Sequence, residues 1–72
     1  MEKRVPVRKL RLVRLQKGLS SWDLARACRV NPVSVRQWEY GFSSPTAERR
    51  RILEELLGAP WEELAKIVKG GE

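Results

Sequence analysis

Ser20-Ser21-Trp22-Asp23-Leu24-Ala25 and Val30-Asn31-Pro32-Val33-Ser34-Val35 each carry a helix start. Together they read as two short helices joined by a tight turn. Ser20 is a good N-cap, and Asp23 can reach back to the Ser20 backbone N–H as in a capping box, although Asp is shorter than the preferred Glu. Asn31 can accept from the first-turn N–H groups of the second helix. Pro32, at its first position, lacks a donor that would be unpaired there anyway. Gly41, after Trp38-Glu39-Tyr40, is placed to take the left-handed conformation that closes it. The two helices are predicted over about residues 21–28 and 32–40.

The rest of the chain is also read as helical. Leu12, Leu15 and Leu19 are spaced to share one side of a packed unit. A first helix is predicted over about residues 7–16, with Pro6 near its start, Gln16-Lys17 in its last turn and Gly18 as its stop. Phe42-Ser43-Ser44-Pro45 is a loop. Thr46 or Ser44 caps a fourth helix that runs to about Leu57 and ends at Gly58. Pro60 and the acids Glu62-Glu63 open a fifth, which extends to about Lys69. The expected fold is all-α, a compact bundle of about five helices in a single domain spanning 1–72. Within it, residues 1–5 form a flexible basic arm that includes Lys3-Arg4, and residues 70–72 a frayed tail. No strand pattern, repeat or low-complexity linker is read.

Composition narrows the function. The 72 residues carry 15 Lys and Arg against 9 Asp and Glu, a net charge of +6. That balance favours a polyanionic partner, nucleic acid before an anionic membrane surface. No apolar run approaches the ~18 residues of a membrane span, and the N-terminus lacks the apolar core of a signal peptide, so a cytoplasmic protein is expected. Cys28 is the single cysteine and histidine is absent. No internal disulfide, metal site or cofactor is therefore expected, and no acid–base pair points to an enzyme.

The second helix of the pair has two unlike sides. At about 100° per residue, with Val35 inward, Trp38 and Glu39 also fall inward. Val33, Arg36, Gln37 and Tyr40 fall on the opposite arc, with Pro32 at its edge. An ordinary solvated face would carry Lys and Glu. These groups instead suit base edges: Arg bidentate to guanine, Gln to adenine, an aliphatic side chain against a thymine methyl. An inward Glu39 calls for a partner, for which Arg14 on the first helix is the candidate; left on the surface, Glu39 would contribute almost nothing.

Residues 12–64 resemble the phage lambda repressor/Cro-like helix-turn-helix family, also called the xenobiotic-response-element family. The matching frame is Arg14…Lys17-Gly18-Leu19-Ser20, Leu24-Ala25, Val30-Asn31, Val35, Trp38-Glu39-x-Gly41, x-x-x-Pro45 and Leu53…Leu57-Gly58. The resemblance implies a bundle of about five helices whose third helix enters the major groove of double-stranded DNA. It puts the family's Arg–Glu pair on Arg14 and Glu39, base-reading positions on Pro32, Val33 and Ser34 with Arg36 and Gln37 one turn on, and a phosphate contact on Ser21. It also puts the loop before helix four near the phosphates. With the remaining polar groups this gives Ser21, Arg26, Arg29, Tyr40, Ser43 and Ser44 as the phosphate-contacting set. The chain departs from the family at Ser21, where most members carry Gln; at Arg29, where Gly is usual in the turn; and at Pro32, where many have a polar base-reader.

The expected function is a sequence-specific transcriptional regulator, a repressor in the first instance. Two alternatives share the fold: an antitoxin that also neutralises a toxin protein, and a protein-docking module that has lost DNA binding. The latter tends to lose positive charge around the third helix, whereas Arg26, Arg29 and Arg36 remain here. Of Arg49-Arg50-Arg51, which span most of a helical circumference, one or two at most are expected on phosphates. A homodimer on DNA is expected, because one recognition helix covers few base pairs. Trp61, Leu64, Ile67 and Val68 supply its apolar surface, with Trp61 and Val68 left for the partner unless all four pack internally.

Overall fold

A computed structural model describes residues 5–69; the expected arm residues Lys3 and Arg4 and the tail 70–72 lie outside the described residues. The order is β1 (Pro6–Arg8), α1 (Lys9–Gln16), α2 (Ser21–Cys28), α3 (Pro32–Glu39), α4 (Ala47–Leu57), α5 (Trp61–Leu64) and β2 (Ile67–Lys69). The molecule is mostly helical, as the sequence predicts, and no described helix is long and apolar enough to cross a membrane.

The starts of α2, α3 and α4 form as read. Asp23 N–H donates to Ser20 Oγ at 3.1 Å and Ser20 N–H to Asp23 Oδ2 at 2.7 Å, a complete capping box. The Ser20 backbone N–H, and the Ser20 hydroxyl at 3.1 Å, both donate to Asp23 Oδ2 and hold its carboxyl below the usual range. Val33 N–H donates to Asn31 Oδ1 at 2.8 Å. Of the two candidate caps for α4, Thr46 is used, accepting from Arg49 N–H at 3.3 Å. Pro60 sits one position outside α5, whose first N–H, on Trp61, donates to Glu54 Oε2 at 2.6 Å.

Both ends of the chain depart from the expected helices. Pro6–Arg8 pairs antiparallel with Ile67–Lys69, with Val7 opposite Val68, and Lys9 N–H extends the ladder to the Lys66 carbonyl at 2.7 Å. The first helix therefore begins at Lys9 rather than Val7, and the fifth ends at Leu64 rather than Lys69. Three-residue strands are too short to display a period of two, so they leave no pattern in the sequence. The Lys9 and Lys66 ammonium groups both meet Glu63 across this junction, and they hold its carboxyl below the usual range.

The core is Leu10, Leu24, Ala25, Cys28, Val35, Trp38, Leu53, Leu57 and Leu64. The expected stripe of Leu12, Leu15 and Leu19 is not its α1 contribution: Leu15 is 50% exposed, and Leu10 and Arg14 are the buried residues of α1. Leu10 and Arg14 are one turn apart on one face, and Leu15 lies well round the helix from both. Burial pushes the Cys28 thiol above its usual value, against the opposing pull of Arg49.

Candidate nucleic-acid interface

Packing of α2 against α3 begins from the turn between them. Arg29 takes φ 59° and ψ 49°, the one non-glycine residue with positive φ among the described residues. Val30 N–H donates to the Ala25 carbonyl at 3.0 Å and Arg29 N–H to Arg26 at 3.3 Å, so the last carbonyls of α2 are satisfied by a Schellman turn. Positive φ of this kind is a conformation that glycine adopts far more readily than arginine. An arginine held there costs roughly 1–2 kcal/mol relative to a relaxed backbone.

From this turn α3 presents two faces. Val35, Trp38 and Glu39 are buried. Val33 is 57% exposed, Arg36 and Gln37 are exposed, and Pro32 and Ser34 are half-buried. Arg26 and Arg29, on α2 and at its end, are exposed and Ser21 is half-buried. Tyr40, expected on the outer arc, is half-buried beneath the Arg11 guanidinium, which lies 5.8 Å from its ring centre.

Glu39 anchors the back of this helix. Arg14 Nε donates to Glu39 Oε2 at 2.6 Å and Arg14 Nη2 to Oε1 at 3.3 Å, while Arg14 Nη1 donates to the Leu19 carbonyl at 2.8 Å. Arg11 reaches the same carboxylate at 3.5 Å. With donors on both of its oxygens, the fully buried Glu39 carboxylate sets how α1 crosses α3.

The loop after α3 is held by residues that sequence reasoning did not select. Arg8 Nη1 donates to the carbonyls of Trp38 at 3.1 Å and Ser43 at 2.9 Å, and Arg8 Nη2 to Ser44 Oγ at 3.1 Å. Arg50 Nε donates to the Pro45 carbonyl at 3.1 Å. Both guanidiniums stack on Trp61, Arg8 at 5.3 Å and Arg50 at 5.2 Å from the ring centre. No local signal marks Arg8, because its partners lie in distant parts of the sequence. Ser43 and Ser44 are exposed. Ser44 Oγ accepts from Arg8 and keeps its own proton to donate. Phe42 stands 81% exposed at the loop tip.

The arginine run divides in the same way. Arg49 Nε donates to the Cys28 carbonyl at 3.1 Å, Arg50 is in the Trp61 clamp, and Arg51 is exposed. The apolar surface expected on the fifth helix is likewise redistributed. Leu64 is in the core, Trp61 is clamped, and Val68 pairs with Val7 in the sheet. Ile67 is the one left 58% exposed.

A helix-turn-helix family model matches residues 10–64, which runs from the buried Leu10 of α1 to the buried Leu64 of α5. No curated protein matches the chain.

Proposed function

The chain belongs to the Cro-like helix-turn-helix family, a family of DNA-binding regulators, and from that premise we propose that it is a sequence-specific repressor that lays α3 into the major groove. The observation that carries this reading is the exposed arc of α3. Val33, Arg36 and Gln37 offer an aliphatic surface, a guanidinium fork and an amide on the side opposite the core, and Arg26 and Arg29 are exposed as well, in a chain of net charge +6. Pro32 and Ser34, half-buried at the helix start, complete the base-reading set. Ser21, Arg26, Arg29, Tyr40, Ser43 and Ser44 are the phosphate contacts, Tyr40 through its edge because Arg11 covers its face. Repression follows from occupancy, since a seated protein blocks other proteins from the same groove.

The protein works as a homodimer on two half-sites about 34 Å apart. Its apolar contribution comes from Ile67 on β2 rather than from Trp61 and Val68. Selection of bound sequences from a random DNA pool tests the whole reading. An enriched inverted repeat is expected. Failure to enrich any sequence would overturn DNA binding, and a single asymmetric site bound by one copy would overturn the dimer.

A further inference from the structure

Trp22 and Val33 are large apolar side chains held in water, 65% and 57% exposed. They are not scattered. Together with Ser21, Asn31, Pro32 and Arg36 they line one cleft of about 400 Å³, with Ser21 and Trp22 supplied by α2 and Pro32, Val33 and Arg36 by α3. The polar groups on this lining are few. Asn31 Oδ1 is already committed to the Val33 N–H, and Pro32 has no N–H to offer. The Ser21 hydroxyl, the Asn31 side-chain N–H groups and the Arg36 guanidinium remain. No carboxylate lines the cleft. Two eight-residue helices also begin beside it, so the partial charge of their N-termini is positive there.

An apolar trough rimmed by a cation, a hydroxyl and an amide N–H donor suits an anionic surface that carries small apolar projections. The major-groove edge of DNA is such a surface, because the C5-methyl of a pyrimidine is its one apolar projection and phosphates flank it. We propose that this cleft reads pyrimidine C5-methyl groups, with Trp22 from α2 and Val33 and Pro32 from α3 closing around them. The proposal rests on the DNA-binding reading above, and it makes Trp22 a specificity-determining residue although it lies outside α3. Thymine and 5-methylcytosine present the same methyl group at the same edge, so either can be the ligand.

The test starts from the sequence selected out of the random pool. Each thymine is replaced singly by deoxyuridine, and affinity is measured for the wild-type protein, Trp22→Ala and Val33→Ser. Both side chains are exposed, so the variants leave the core intact, and circular dichroism checks that they fold. In the wild type, loss of one methyl per half-site should weaken binding about 10-fold or more at one or two positions. In both variants the same replacement should be close to neutral. A cytosine at that position, compared with and without its 5-methyl group, separates the two sources. A gain on methylation means the methyl is read on either base, and no gain with the uridine loss retained means that thymine is the ligand. Uridine that is neutral at every position in the wild type, with tight binding preserved, would overturn the methyl-reading cleft and leave DNA binding standing. A pool in which nothing is enriched would overturn both.

Discussion

At the scale of single residues, Arg29 is where this chain departs most sharply from low-energy backbone. Its φ of 59° is the conformation glycine adopts without penalty. Arg29→Gly is therefore expected to relieve strain of roughly 1–2 kcal/mol, partly offset by the greater freedom of glycine in the unfolded chain. Urea unfolding should show a net gain or no loss of stability, while DNA affinity falls because an exposed cation is gone. Clear destabilisation would show that the Arg29 side chain stabilises the turn in some other way. Glu39 presents the opposite case. It is fully buried and accepts from Arg14 on both oxygens. Removing either partner strands a charge and should destabilise by about 3–5 kcal/mol, and a double-mutant cycle should reveal strong coupling. A coupling near zero would mean that Arg11 alone keeps Glu39 satisfied. Arg36→Ala and Gln37→Ala should each weaken binding to the best site by roughly 1–3 kcal/mol and relax base choice at one position, without changing stability, because both side chains are exposed. Retained discrimination in both variants would move the reading face elsewhere.

At the scale of elements, α3 is held at both ends by polar contacts rather than by apolar packing alone. The Asn31 cap fixes its start. At its end, Arg8 ties the Trp38 carbonyl to the loop at Ser43 and Ser44, and Arg50 ties Pro45, with both guanidiniums over the Trp61 ring. Strand β1 is thus more than an edge, because it places Arg8 where it can hold the loop that the proposed complex sets against phosphate. Arg8→Ala removes charge-assisted hydrogen bonds and a stacking contact, and should cost about 2–3 kcal/mol of stability. It should weaken binding to all DNA sequences alike, since a loosened loop affects backbone contacts and not base edges. Thermal unfolding with affinities for preferred and scrambled DNA separates these effects. A selective loss on the preferred site would place Arg8 at a base.

At the scale of the whole molecule, charge distribution sets the expected behaviour. The net charge of +6 includes arginines that the fold consumes: Arg14 in the Glu39 pair, Arg49 on Cys28, and Arg8 and Arg50 in the clamp. The exposed cations Arg26, Arg29 and Arg36 remain for an external partner. Each phosphate neutralised should add about 0.9 to the slope of log affinity against log salt. Three or more such contacts per protomer are expected, so affinity should fall steeply with salt. A flat dependence, measured by titration at several salt concentrations, would speak against a phosphate-anchored complex.

What the sequence determined by itself was local. The starts at Ser20, Asn31 and Thr46 and the inward phase of Val35, Trp38 and Glu39 are legible because a cap closes its hydrogen bond within three residues and a helix repeats at a fixed angle. The exposed arc of α3, and with it the candidate interface, follows from the same periodicity. Tertiary structure decided what depends on a partner far along the chain. Strands β1 and β2 exist because Val7 meets Val68. The buried line of α1 starts at Leu10, which the spacing of Leu12, Leu15 and Leu19 did not mark, whereas Arg14 was readable as the partner of the inward Glu39. The division of the arginines between clamp, cap and exposed surface was not legible either, since Arg8, Arg50 and Trp61 become neighbours only when the ends of the chain close on each other. A guanidinium has the same local propensities in all of these roles, and only its neighbours in the folded molecule distinguish them.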